Sequence, residues 1–439
     1  MPVDLPEDSS PALDRVGESG RAKPPAVAPD RRRAYADEHR ANVPSVSEEA
    51  RATIRLAVPL ALTQIGQVVM FTTDLMFIGR LGDSYLAAGA LAHTILFAAF
   101  VLGMGLMSAV APLTAQSLGA NDPAGVRRSL RVGIHACIII GIPVVAAQLY
   151  CEPLLLALGQ APDNAAKAAA YLSTLAWSII PAWIFWAMRG YMSALDRPAP
   201  GLWIMLGGIP VNAALAYALV FGAWGFPELG LYGAGLATTV VNVAMCVAGA
   251  LTILASERLN SFRPLDRIWR PDWPKFRELF RIGAPMSAAF TMEHGLFAAA
   301  VFMAGLIGTS ALASHQIAMQ IASLAFMVPL GISQAASVRV GYWFGFGSPE
   351  AARQAGWTAL AITGAATALV MITTWVTAPV IPMMFLGGET PDNTETYSLA
   401  STLLVVAACF FVIDGLQSVT AGILRGYSDT SALFAYATL

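Results

Sequence analysis

Long apolar blocks separated by short polar stretches run along most of this chain. Ten can be delimited, at 53–79, 84–112, 129–157, 166–189, 200–222, 230–255, 279–306, 311–340, 355–386 and 396–424. Several exceed the roughly 18 consecutive apolar residues that mark a membrane-spanning helix, and they replace the short alternating runs of half-buried strands. The pattern predicts an all-α polytopic membrane protein. Residues 1–46 are different: Pro, Asp, Glu, Arg and Ala without periodicity, and without the apolar core of a signal peptide. They read as a disordered tail.

Composition agrees. Hydrophobic residues make up 56% of the chain and charged residues 12%, with a mean hydropathy of +0.61. A soluble domain carries about twice that charge. The net charge of −2 discriminates little, because the charge is concentrated between the apolar blocks. No basic face interleaved with aromatics supports nucleic-acid binding. Cys137, Cys151, Cys246 and Cys409 stand singly, which suits small apolar fillers better than metal ligands. No His/Glu set has zinc spacing, and neither G-x-S-x-G nor a P-loop occurs, so an enzyme is not expected. A sensor would need an appended soluble domain, which the pattern does not contain.

The polar connections differ in sign. One alternate set carries Arg127, Arg128, Arg131, Arg197, Arg258, Arg263, Arg267, Arg270, Lys275, Arg277, Arg281, Arg339, Arg353 and Arg425. The other holds Arg80 and Lys167 with the acids Glu152, Asp163, Glu228, Glu389, Asp392 and Glu395. Basic loops stay inside, so the first set and the N-terminus are expected in the cytoplasm of a cell whose inner membrane holds the protein.

The chain also repeats itself. Pro59 and Pro285 lie 226 positions apart, and the same shift pairs Gly82 with Gly308, Ser84 with Ser310, Leu86 with Leu312, Ala87 with Ala313, Gly105 with Gly331, Gly119 with Gly345, Pro123 with Pro349 and Arg127 with Arg353. An even offset in helix number predicts a parallel repeat, with substrate between the halves near the midplane. The expected domains are a six-helix lobe at 47–256, a cytoplasmic linker at 257–280, and a second lobe at 281–439. By this arithmetic the second lobe should hold roughly two more helices than it does, so it is expected to be incomplete.

Several stretches, taken in order, carry a family resemblance: A-V-P-L-A-L-T-Q (57–64) running to T-D-L-M-F-I-G-R-L-G (73–82), A-P-L-T-A-Q-S-L-G-A (111–120), I-P-V-N (209–212), I-G-A-P-M-S (282–287), M-E-H (292–294) and D-G-L-Q-S-V-T-A-G-I-L-R-G (414–426). From about Glu48 onward the chain resembles the multidrug and toxic compound extrusion (MATE) family, in its bacterial NorM-like branch. The resemblance implies a two-lobed antiporter of twelve helices that expels cationic or amphipathic small molecules against a Na⁺ or H⁺ gradient. It implies no cofactor beyond that coupling ion.

Within the apolar blocks three acids stand out, Asp74, Glu293 and Asp414. A carboxylate is costly as an anion in hydrocarbon, so an intramembrane acid is a natural binder of a proton, a sodium ion or a cationic drug. The resemblance carries the coupling role onto all three. Gln67 holds the repeat position of Glu293, and Ala300 that of Asp74, so the halves are expected to differ in chemistry. Asn212, just after Pro210, is either a cation ligand or a helix–helix bridge; Thr238, Thr239 and Asn242 read as packing groups. His294 should point about 100° away from Glu293. Met286, Phe290, Met292 and Gln417 are candidates to line a drug cavity. Trp177, Trp183, Trp186 and Trp203 read as an interfacial belt. Pro59 and Pro285 should start their helices, and Pro181 and Pro210 are kink points. The expected surroundings are the lipid bilayer and small substrates, with the chain acting as a monomer. Two other readings remain open: a lipid-linked precursor flippase of the same superfamily, which would need several arginines in its central cavity, and a membrane-embedded sensor.

Overall fold

The computed structural model describes residues 43–429 apart from 158, 267 and 387–393. The expected tail as far as residue 42, Arg267, Glu389, Asp392 and residues 430–439 lie outside the described residues, as do the side chains of Ser84, Leu86, Ala87 and His294.

The helices are α1 Val46–Gly79, α2 Asp83–Met107, α3 Val110–Gly119, α4 Pro123–Leu149, α5 Cys151–Ala157, α6 Pro162–Leu175, α7 Ile179–Ala194, α8 Ala199–Phe221, α9 Gly230–Ala255, α10 Glu257–Asn260, α11 Trp273–Ile307, α12 Thr309–Phe346, α13 Pro349–Thr377, α14 Ile381–Leu386 and α15 Thr394–Gly426. Among the described residues, ten spans are long and apolar enough to cross a membrane, and no strand is present. The protein is an all-α polytopic membrane protein.

Helix starts fall earlier than the apolar blocks indicate, because capping residues set them. Ser45 and Glu48 form a capping box that starts α1 at Val46, satisfying orphan amides by reciprocal bonds. Asp272 caps α11 from Lys275 N, with Pro274 in the first turn, and Ser348 with Pro349 does the same for α13. Pro59 and Pro285 are therefore interior to α1 and α11 instead of starting them. The expected linker loses residues 273–280 to α11.

Four blocks are interrupted. The second divides at Ser108–Ala109, four residues before Pro112, which cannot donate to the Ser108 carbonyl. The fourth contains a 3₁₀ turn at Ala176–Ser178, just ahead of Pro181. The third and ninth each end in a short separate helix, α5 and α14. Pro210 sits within an unbroken α8.

The connection from α10 to α11 lies against the N-terminal spans. Tyr191 Oη donates to the Leu259 carbonyl at 2.7 Å, and the His135 ring bonds the Ile268 carbonyl at 2.6 Å. Arg128 and Arg131 reach Asp272 at 3.8 and 3.9 Å. Not every arginine assigned to a loop is in one: Arg339 and Arg425 lie in α12 and α15. Arg425 is only 3% exposed.

Helices α1–α9 meet α11–α15 along one seam. There α1 packs on α12, α2 on α11 and α3 on α12. The contacts come in pairs at the repeat offset. Gly105 sits on Ser287, and Gly331, 226 positions on, sits on Ala61, which is 226 before Ser287. Gly119 lies against the Tyr342 backbone, and Gly345 against that of Gln116. A β-carbon at any of the four would collide with the facing helix, so glycine here permits the close crossing.

Polar bonds cross the seam at the end where α1 begins. Arg339 donates to Glu49 Oε1 at 2.7 Å and Oε2 at 2.5 Å, a bidentate pair, and Trp343 Nε1 adds a bond of 3.2 Å. Glu49 is wholly buried. Gln116 Nε2 donates to the Gly426 carbonyl at 2.7 Å and to Ser428 Oγ at 2.8 Å. Across the seam, Gly345→Ala is expected to destabilise by about 1–3 kcal/mol through overpacking. Gly364→Ala, where a β-carbon meets nothing, should leave stability unchanged or raise it slightly. Thermal unfolding of both variants in detergent checks the contrast.

Candidate functional site

Asp74 lies five residues before the end of α1, between two apolar clusters. One is Met70, Phe185, Met205, Val241 and Met245; the other is Ala216, Leu219 and Ala237. The carboxylate is 2% exposed, and neutral donors hold both of its oxygens. Asn212 Nδ2 of α8 donates to Oδ1 at 2.5 Å, and Thr238 Oγ1 of α9 donates to Oδ2 at 2.9 Å. Asn242 Nδ2 then donates to the Thr238 carbonyl at 2.9 Å, steadying that turn of α9. Among the described residues, no Lys, Arg or His forms an ion pair with Asp74.

This arrangement leaves oxygen lone pairs in excess. The carboxylate has more acceptor capacity than two donors fill, and Asn212 Oδ1 is buried without a donor. A negative charge with no counter-ion in a low-dielectric bundle is expensive. Surplus oxygens around such a charge suit a proton or a hard cation with oxygen ligands. Asn212 is thus in contact with Asp74, as a helix–helix bridge with one unsatisfied oxygen. Thr238 is a correction: it is a partner of Asp74, not a packing group. Its small, polar and common character gave no local signal, and only the crossing of α9 over α1 reveals it.

The other two acids lie elsewhere. Glu293 of α11 and Asp414 of α15 are half-buried and within electrostatic reach of each other. Asp414 and Gln417 face a cavity of about 320 Å³ bounded by α11, α12, α13 and α15. Phe297, Met319, Phe326, Phe410 and Phe411 are among the residues that line it. A volume at the lower end of the small-molecule range, aromatic walls and a single carboxylate suit a flat organic cation.

The remaining candidates scatter. Gln67 is half-buried on α1, seven residues before Asp74 and so on the same helix face. Met286 is buried in the seam, its sulfur accepting from Ser108 Oγ at 3.3 Å. Phe290 lines a second, smaller cavity there, and Met292 is exposed. The tryptophans divide as well. Trp177 and Trp203 are exposed, but Trp183 is fully buried. Trp186 lines the seam cavity, with the Arg189 guanidinium 5.0 Å from its ring. The fourth span enters the bundle at this point, so these two rings face inward and not toward headgroups.

Ten spans among the described residues, with Asp74 buried without a counter-ion, point to the class of polytopic membrane transporters. The MatE family model matches twice, over residues 59–218 and 285–439. The two matches begin at the prolines that the repeat superposes. The chain belongs to the MatE family. It is 48% identical over 394 residues to the probable multidrug resistance protein NorM of Bradyrhizobium diazoefficiens, covering 90% of this chain and 84% of that protein. It is 39% identical over 388 residues to the multidrug resistance protein NorM of Burkholderia vietnamiensis, covering 88% and 83%. In fold it is similar to a eukaryotic MATE transporter, at a TM-score of 0.78 and 21% identity over 88% of this chain and 84% of that one.

The three side chains of the Asp74 site form one network, so their removal should not be additive. In a double-mutant cycle, Asn212→Ala and Thr238→Val are expected to show a coupling of about 0.5–3 kcal/mol, measured by thermal unfolding. Asp74→Asn as background should reduce that coupling, because the shared acceptor changes.

Proposed function

We propose that this transporter exports cationic and amphipathic small molecules from the cytoplasm in exchange for Na⁺ or H⁺. The observation that carries the reading is the pairing of a counter-ion-free carboxylate site at Asp74 with an aromatic cavity edged by Asp414. The multidrug names of the NorM relatives support the same cargo class. Coupling rests on competition. The cation and the drug each neutralise a buried acid, and neutralised carriers reorient more readily than charged ones.

Alternating access follows from the same elements. Lobes at 47–256 and from 273 onward, joined by the connection at 257–272, would separate along the glycine-lined seam while Asp74, Glu293 and Asp414 stay fixed within them. The arginine-rich end would face the cytoplasm of a cell bounded by an inner membrane. In this conformation the bonds from Glu49, Gln116, Arg339 and Trp343 tie the basic end shut, which supports an outward-facing reading. The flippase reading has less support. Two arginines, Arg189 and Arg425, do line a cavity between the halves, but its volume of about 30 Å³ is too small for a pyrophosphate.

In proteoliposomes holding the full chain, Glu293→Gln or Asp414→Asn is expected to abolish gradient-driven dye efflux while membrane insertion persists. Running the assay under a Na⁺ gradient and a H⁺ gradient separately identifies the coupling ion. Wild-type efflux rates in both variants would overturn the assignment of these acids.

A further inference from the structure

The two halves share a second short repeat, Arg189-Gly190-Tyr191 in α7 and Arg425-Gly426-Tyr427 at the end of α15. Both arginines are buried, at 5% and 3% exposed, and both line the small seam cavity, with walls from α1, α2, α3, α7, α11, α12 and α15. Neither has a carboxylate partner among the described residues. Arg189 Nη2 donates to Gln64 Oε1 at 3.2 Å. Arg425 Nη2 donates to Ser333 Oγ at 2.5 Å, and its Nε to the Ala421 carbonyl at 3.3 Å. Two guanidinium charges therefore rest on neutral acceptors alone, an arrangement that burial penalises heavily.

The unsatisfied groups around this cavity share one sign. Arg189 Nε, Gln334 Nε2 and Ser337 Oγ are buried and make no hydrogen bond. All three residues line the cavity. The first two atoms can only donate, and the hydroxyl is free to do so. The space is about 30 Å³, room for one small ion or roughly two waters. Positive charge and surplus donors together call for an acceptor carrying negative charge.

We propose that this seam cavity binds one small monovalent anion, of halide or carboxylate-headgroup size, between Arg189 and Arg425. The proposal is independent of the exported cargo. It also gives the seam a ligand-dependent stability. An anion touching α7 on one side and α12 and α15 on the other favours the form in which the halves are joined at the basic end.

The test uses the purified full chain in nanodiscs with radiolabelled chloride as probe, at constant ionic strength in gluconate. Saturable binding and a rise in thermal unfolding midpoint with chloride are expected. Arg425→Gln or Arg189→Gln should weaken binding at least about tenfold, since a charge-assisted bond is lost. Ser337→Ala, a milder change, should weaken it a few-fold at native stability, which covers the case in which an arginine variant does not fold. Displacement of chloride by acetate would extend the site to small organic carboxylates. Displacement by bromide but not acetate would restrict it to inorganic halides. Either pattern supports an anion site. Absence of saturable binding of both chloride and acetate, or unchanged binding in the folded Ser337→Ala variant, would overturn it and leave water as the occupant.

Discussion

Two helix backbones can cross at close range only where at least one of them lacks a side chain. That requirement at Gly105, Gly119, Gly331 and Gly345 organises the rest of the molecule. Because the four glycines are related by one offset, the contacts of Gly105 on Ser287 and Gly119 on Tyr342 are made again in reverse by Gly331 on Ala61 and Gly345 on Gln116. A seam built this way is self-complementary, as in an isologous dimer. Close approach also excludes water, so any polar group caught in the seam must find its partner within protein. Glu49 does so fully, with three donors from α12. Arg189 does so only in part, its Nε left without a bond, and Arg425 bonds neutral acceptors.

What is left over identifies what each place can hold. Around Asp74 the surplus is of acceptors: carboxylate lone pairs and the Asn212 amide oxygen. Around the seam cavity the surplus is of donors, on Arg189, Gln334 and Ser337. The contrast is not a matter of depth, since all these groups lie inside the bundle. It reflects which residue types the two halves bring to each crossing. A buried polar atom without a partner costs on the order of 1–3 kcal/mol. A protein that keeps several of one sign together is therefore organised for a ligand of the other.

Much of this was legible in the sequence, and the reasons are physical. Membrane burial forces long apolar blocks, so the ten spans and the fold class follow from hydropathy. The repeat was visible because Pro and Gly are constrained by backbone geometry and few alternatives replace them. Asp74, Glu293 and Asp414 stood out because an acid in an apolar block is costly. The partners did not stand out. Thr238 and Ser337 are ordinary in any membrane helix, and only tertiary crossing gives them a role. Arg425 looked like a loop charge, since it ends an apolar block, yet α15 carries it inward. Glu49 carries no membrane signal of its own because it precedes the apolar run, although the Ser45–Glu48 capping box beside it signals the true start of α1.

The repeat fixes a framework that is symmetric while its chemistry is not. Gln67 stands where Glu293 does, and Ala300 where Asp74 does. One half therefore holds Asp74, enclosed between apolar clusters without a counter-ion, and the other a pair of acids, one of them beside an aromatic cavity. On the proposed mechanism this division separates two tasks. The enclosed site offers surplus oxygens to a proton or a small cation, and the cavity has the volume for an organic one. If the lobes move as rigid bodies, the paired contacts of the seam would let go together. An arrangement that yields all at once has two states, not a continuum. Two states are what a carrier needs if ion and drug are to be exchanged instead of leaking past each other.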